Sequence, residues 1–178
     1  MDVSTTGIPG VLRIVPKVFR DDRGYFKETF SASRYAATGI PNAFVQDNVS
    51  MSKRGTLRGL HGDRRMVKLV QVLAGSAFDV VVDVREGSPT YARWFGVRLD
   101  ANTHEQIYIP AGCLHGFLAL EDGTLLSYKQ TAEYDPASEI GVAWNDPDIA
   151  IEWPLDGLEP LISGKDAENP TLRALGLL

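Results

Sequence analysis

The sequence predicts an all-β sandwich or barrel with minor helix. Three observations carry this: short apolar and β-branched runs alternate with Gly, Pro, Asp and Asn from residue 67 onward, one run keeps a two-residue period, and helical periodicity is scarce. Strands are expected near 67–73, 77–84, 93–99, 105–110, 116–120, 124–131 and 140–144. In the second, Phe78, Val80, Val82 and Val84 share one face and Asp79 and Asp83 the other, as in a half-buried strand. Ala74-Gly75-Ser76 is short enough to close a hairpin between the first two. Helix is limited to two turns over Ser31–Ala37 and a short piece over Pro170–Leu175, with Pro at its start and Gly176 after its end.

With 178 residues, 44% of them hydrophobic and 9% aromatic, the chain can fill one substantial core and little more. A single domain over 1–178 is expected. Its irregular segment from about residue 154 should pack back on the body through Leu155, Leu158, Leu161 and Ile162. No internal repeat, low-complexity tract or linker interrupts it.

The formal net charge of -5 argues against nucleic acid or an anionic membrane as partner, so any phosphate must be met by locally placed arginines. No apolar run approaches the roughly 20 residues that span a bilayer. The single Cys113 has no partner for an internal disulfide and the N-terminus lacks a basic, then apolar, signal pattern, so the expected location is the cytoplasm.

Three histidines are few enough to weigh singly. His61 closes Leu57-Arg58-Gly59-Leu60-His61, His115 follows the turn at Pro110–Leu114, and His104 sits among polar residues and is expected at the surface. A regular strand would send Arg58 and His61 to opposite faces, so both reach one pocket only if Gly59 bends the strand or marks a bulge. Lys68 alternates with Val70 and Val72 on one side of its strand. It reads either as an edge-strand guard or as a fixed cation for a developing negative oxygen. Tyr128 and Tyr134 would share a face with Gln130 on a continuous strand, as ordinary strand filling or as phenolic proton donors. Asp21–Glu28 combines a turn, the phosphate-matching fork of Arg23 and the aromatic faces of Tyr25 and Phe26, although a solvated charged hairpin explains the segment almost as well.

Taken in order, these segments resemble the dTDP-4-dehydrorhamnose 3,5-epimerase family over nearly the whole chain. The matching stretches are Asp22-Arg23-Gly24-Tyr25-Phe26 with Glu28, Val45-Gln46-Asp47-Asn48, Leu57-Arg58-Gly59-Leu60-His61, Lys68-Leu69-Val70, Phe78 to Arg85, Ser88-Pro89-Thr90, Ile109-Pro110 through His115-Gly116-Phe117, Tyr128-Lys129, Trp144 to Asp148, and Ser163-Gly164-Lys165-Asp166. The resemblance implies a cupin-like jelly roll (double-stranded β-helix) with short peripheral helices, a homodimer that exchanges N-terminal strands, and epimerisation of a nucleotide-diphosphate-linked 4-keto-6-deoxy sugar at C3, C5 or both, without metal or organic cofactor.

It further implies that His61 is the base, oriented by Asp166, with Tyr128 as the acid on the opposite face and Lys68 beside the enolate. Arg23, Phe26, Glu28, Gln46, Asn48, Arg58, His115 and Tyr134 are implied to surround the nucleotide or sugar. The chain departs from the family after His61, where Gly62-Asp63-Arg64-Arg65-Met66-Val67 replaces a longer loop with an aromatic, Gln and Pro. This leaves the nucleotide carrier, and hexose against heptose, open. The competing readings are a single-centre 3- or 5-epimerase, a metal-dependent cupin enzyme, for which His61 and His115 would be the only plausible histidine ligands and the usual His-x-His pair is missing, and a sugar-binding jelly roll without turnover.

Overall fold

A computed structural model of the chain describes residues 1–40 and 43–178. In chain order its elements are β1 (Asp2–Thr5), β2 (Leu12–Val15), β3 (Val18–Asp21), β4 (Gly24–Lys27), the short helix α1 (Ala32–Ala36), β5 (Gln46–Ser52), β6 (Leu57–Gly62), β7 (Lys68–Ala74), β8 (Ser76–Asp83), β9 (Trp94–Asp100), β10 (Gln106–Ile109), β11 (Cys113–Ala119), β12 (Thr124–Gln130), β13 (Ile140–Gly141) and the short helix α2 (Gly164–Ala167). They build a six-stranded sheet in the order β1-β2-β10-β7-β12-β5, a five-stranded sheet β13-β6-β11-β8-β9 and a separate β3-β4 hairpin. The named strand pairs are antiparallel, and the all-β expectation holds with strand boundaries within a few residues.

Apolar side chains on three layers explain why the sheets stack. Val70, Val72, Ile107, Ile109 and Leu126 of the larger sheet meet Ala77, Val81, Leu99, Phe117 and Ala119 of the smaller one between the sheets. The outer face of the smaller sheet, with Leu60, Val80, Val82 and Leu114, is covered by Val142, Ile149 and Leu172. The outer face of the larger one, with Ile14 and Leu69, is covered by Tyr35 of α1 and Ile40.

Several expectations change. Strand β8 is buried on both faces rather than half-buried, because the C-terminal segment covers its Phe78, Val80 and Val82 face while Asp79 and Asp83 are themselves enclosed and partnered. Ala74-Gly75-Ser76 is not a hairpin, since β7 and β8 lie in different sheets. Gly75, at φ 72°, turns the chain through a corner where a Cβ would stand 2.7 Å from Thr124 Oγ1. Residues 172–176 form turns, and helix appears instead at α2. The segment from residue 154 is anchored by Leu172, with Ile149 and Trp153 packed in the same cluster just before it, whereas Leu158 and Leu161 are exposed. His104 is buried at 2% exposure, its ring covered by the β3-β4 hairpin rather than by solvent. Tyr134 lies past the end of β12, so it does not continue that strand's face.

Candidate active site

Between the two sheets lies a cavity of ≈ 530 Å³ lined by Arg58, His61, Lys68, His115, Tyr128 and Asp166, with Leu57, Phe117 and Leu126 among its apolar walls. The condition set by Gly59 is met. The β6–β11 register shifts between His115 and Phe117, and Gly59 sits at φ 119°, so Arg58 and His61 both line the cavity. A Cβ at Gly59 would fall 2.6 Å from Gly116 Cα, which is why this irregularity needs glycine on both strands.

His61 projects from β6 toward α2, where Asp166 Oδ1 lies 2.6 Å from its Nε2. The other carboxylate oxygen accepts from the Gly59 amide at 3.2 Å, and Ser163 Oγ caps α2 by accepting from the Asp166 amide at 3.1 Å. Asp166 is thus fixed by its helix cap and by the strand that carries the histidine. With the carboxylate accepting at Nε2, the ring proton sits there and Nδ1 is the nitrogen left free to act as a base. His115, beside His61 in the β6–β11 register, is held in the same way: its Nε2 lies 2.8 Å from Asp79 Oδ2, whose carboxylate is buried.

Lys68 opens β7 and Tyr128 lies on β12, both on the inner face of the opposite sheet. Burial pushes the Lys68 ammonium down to about 8, against the opposing pull of the Glu139, Asp79 and Asp63 carboxylates. Burial also raises the Tyr128 phenol above its ordinary value, with Arg58 pulling the other way. Arg58 is itself steadied by Ser52 Oγ, which accepts from its Nε at 3.2 Å.

The remaining residues singled out from sequence fall into two groups. Gln46 and Asn48 lie on β5 beside the cavity, tied in a chain: Gln46 Nε2 donates to Asn48 Oδ1 at 3.0 Å, and Asn48 Nδ2 to Gln130 Oε1 at 2.9 Å. Tyr134 joins this chain through its amide, which donates to Gln46 Oε1 at 2.9 Å. Arg23, Phe26 and Glu28 are elsewhere, on or next to the β3-β4 hairpin. Arg23 is 90% exposed and forks onto Asp21, Glu28 pairs with Arg34, and Phe26 is 69% exposed.

Three residues that sequence reasoning did not single out also belong here. Lys165 and Ser50 line the cavity. Glu139 pairs with Lys165, whose Nζ donates to Tyr134 Oη at 3.3 Å. The Ser50 hydroxyl is buried without a hydrogen-bond partner among the described residues. Lys165 adjoins Asp166 in a motif already noted, which was the available signal; nothing local marks Glu139 or Ser50.

The cavity therefore gathers Arg58, Lys68, Lys165 and two histidines inside a chain of net charge -5, a local field suited to an anionic ligand. A base and a phenol on facing sheets, with a buried cation in the same cavity, can move protons on and off opposite sides of one carbon. Both cavity histidines already hold carboxylates, and among the described residues no group of three His, Cys, Asp or Glu side chains could hold a metal ion. Among the described residues no helix is long and apolar enough to cross a membrane.

The family profile described as dTDP-4-dehydrorhamnose 3,5-epimerase matches residues 5–174. A dTDP-4-dehydrorhamnose 3,5-epimerase of Methanothermobacter thermautotrophicus is 47% identical over 171 residues, covering 94% of this chain and 92% of its own. The crystal structure of dTDP-6-deoxy-D-glucose-3,5-epimerase from Legionella pneumophila in complex with dTDP-4-keto-L-rhamnose superposes with a TM-score of 0.94 at 44% identity, covering 99% of this chain and 96% of that one. A 3'-monoepimerase from Streptomyces bikiniensis in complex with dTDP-quinovose superposes with a TM-score of 0.90 at 39% identity, covering 97% and 90%.

Proposed function

The chain belongs to the dTDP-4-dehydrorhamnose 3,5-epimerase family and is an isomerase of the cupin-like fold acting on a nucleotide-linked 4-keto-6-deoxy sugar; on that premise we propose how its residues divide the work. His61 Nδ1 removes the carbon-bound proton beside the ketone, and Asp166 steadies the imidazolium that forms. Lys68 stabilises the enolate oxygen as charge develops. Tyr128 returns a proton from the facing sheet, which inverts the centre. The observation that carries this reading is the placement of the His61–Asp166 pair and Tyr128 on opposite walls of one cavity.

Arg58, His115, Gln46, Asn48 and Tyr134 serve the sugar and the diphosphate from the same chain. Arg23, Phe26 and Glu28 serve a second copy. In this reading two chains form a homodimer in which each β3-β4 hairpin reaches the partner's cavity. Both β1 and β2 are paired within the chain, which leaves the hairpin as the N-terminal element free to be exchanged. Its Phe19, Tyr25 and Phe26 are 52%, 51% and 69% exposed, and the edge strand β5 carries exposed Val49 and Met51. The chain works as one domain, because both sheets and the C-terminal segment wall the same cavity. A reducing cytoplasm suits the buried Cys113 thiol, which burial pushes up to about 12.

A turnover screen of 4-keto-6-deoxyhexoses on several nucleotide carriers, with NMR of each product, tests the assignment. Inversion at C3, C5 or both defines the reaction, and absence of inversion on every carrier would defeat it. The single-centre outcome has a structural precedent in the Streptomyces bikiniensis neighbour.

A further inference from the structure

The turn between β9 and β10 carries a buried group that the proton transfers do not use. His104 sits at φ 59°, with its ring centroid 4.5 Å from that of Tyr25 and its Nε2 3.3 Å from Arg20 Nη2. Arg20 and Tyr25 face each other across the β3-β4 pair, so one imidazole touches both strands of the hairpin. A guanidinium only donates, so Nε2 must accept and the ring proton must sit on Nδ1. That nitrogen is buried without a partner among the described residues. Among the described residues, side-chain hydrogen bonds tie the hairpin to the rest of the chain at two points: this one, and Lys27 Nζ donating to Gln71 Oε1 at 3.3 Å.

We infer that His104 is a positioning residue for the hairpin: as a neutral acceptor for Arg20 and a face for Tyr25, it sets the angle at which Arg23 and Phe26 are presented to the nucleotide. The inference rests on the reading that the hairpin meets the nucleotide. The groups around the ring favour its neutral form. Burial lowers its proton affinity, the Lys27 and Arg20 cations lower it further, and only Asp100 at the end of β9 pulls the other way; Tyr25 is the remaining titratable neighbour on the hairpin. Glu105, next in sequence, is engaged by Arg13 at 2.6 Å. Protonation would end acceptance from Arg20 and set a third cation among two.

The test uses dTDP as the binding probe, with steady-state kinetics on the keto sugar, for wild type, His104→Phe, His104→Gln and Phe26→Ala. His104→Phe keeps a ring against Tyr25 but cannot accept from Arg20. It should raise the dTDP Kd and the KM about 5- to 10-fold with kcat within about twofold, the scale of one ordinary hydrogen bond, since Arg20 is exposed and water can replace part of what it loses. His104→Gln places an untitratable oxygen where Nε2 was, and should recover affinity to within about twofold of wild type near pH 7.5. Between about pH 7.5 and 5.5 the dTDP affinity of wild type should fall more than that of His104→Gln, because only the histidine changes charge. Thermal unfolding of each variant separates hairpin effects from loss of fold, and His104→Gln carries the test if His104→Phe does not fold. If Phe26→Ala weakens dTDP binding while His104→Phe binds as wild type, the inference is wrong and the hairpin reading stands. If Phe26→Ala binds as wild type, both fall. Folded His104→Gln as weak as His104→Phe, or as steep in pH as wild type, would also overturn the inference.

Discussion

Lys68 Nζ, on the six-stranded sheet, lies 3.5 Å from the main-chain oxygen of His61 on the five-stranded sheet. Among the described residues the ammonium is thus desolvated against a single weak acceptor, an arrangement that costs folding free energy and becomes useful only when an anion forms beside it. Lys68→Met should therefore lower kcat by about 10²- to 10³-fold while raising unfolding stability near neutral pH by about 0.5–2 kcal/mol. Chemical denaturation alongside kinetics reads both signs. A destabilised Lys68→Met would mean that the ammonium contributes to the fold on balance.

The same burial fixes a pH dependence. Lys68 is held at about 8 when folded against 10.5 in an unperturbed chain, so between those values the unfolded state binds more protons, and this residue's contribution to stability rises with pH. Activity should move the other way, since the cation is lost as pH climbs through about 8. The kcat/KM profile should show that alkaline limb in wild type. In Lys68→Arg it should be absent, whatever the absolute rate, because guanidinium stays charged.

His61→Asn should abolish turnover and leave the fold and dTDP binding intact, as the base is removed without enlarging the side chain. Asp166→Asn should be less complete. If the carbonyl of the introduced carboxamide keeps the Gly59 amide, its NH₂ faces His61 and drives the ring proton onto Nδ1, the nitrogen needed as base. A loss of about 10³- to 10⁴-fold in kcat is expected from such a tautomer error. Wild-type rates in Asp166→Asn would remove the orienting role.

Tyr128→Phe separates the two proton steps. In deuterated water, wild type should place deuterium at each carbon that it inverts. The variant should still exchange that position through His61, returning deuterium to the original face, while inversion falls. NMR of recovered substrate and product reports both. Undiminished inversion at every centre would assign the acid to another group on that wall.

The fold is legible in the sequence where local pattern and tertiary placement agree. Strands with alternating apolar residues fall within a few residues of their observed ends, and Lys68 shares a side with Val70 and Val72 as its spacing implies. Asp79 and His104 depart from the local reading for one reason: a polar residue takes its burial from distant partners that its neighbours in sequence do not reveal, here His115 and the hairpin. The His61–Asp166 pair spans 105 residues, a separation no spacing rule reaches, so only family likeness brings Asp166 forward. Glu139 lies outside any recognisable motif and becomes visible through its contacts with Lys165 and Tyr134 and its pull on Lys68.

The strand pair that carries His61 and His115 leaves evolution little freedom. Added Cβ atoms would stand 2.6 Å from Gly116 Cα at Gly59, 2.6 Å from the Cys113 carbonyl at Gly62 and 2.9 Å from the Arg58 carbonyl at Gly116, all main-chain atoms that cannot swing aside. Strands β6 and β11 are therefore locked as a unit, and no single substitution at these glycines can reshape the base's surroundings without moving the sheet. Divergence toward new sugars or carriers has to accumulate at the rim instead, in the Gly62–Val67 loop beyond its first residue, the edge strand β5, the residues around Lys165 and the β3-β4 hairpin. Relatives with different specificities should keep this strand pair and vary that perimeter.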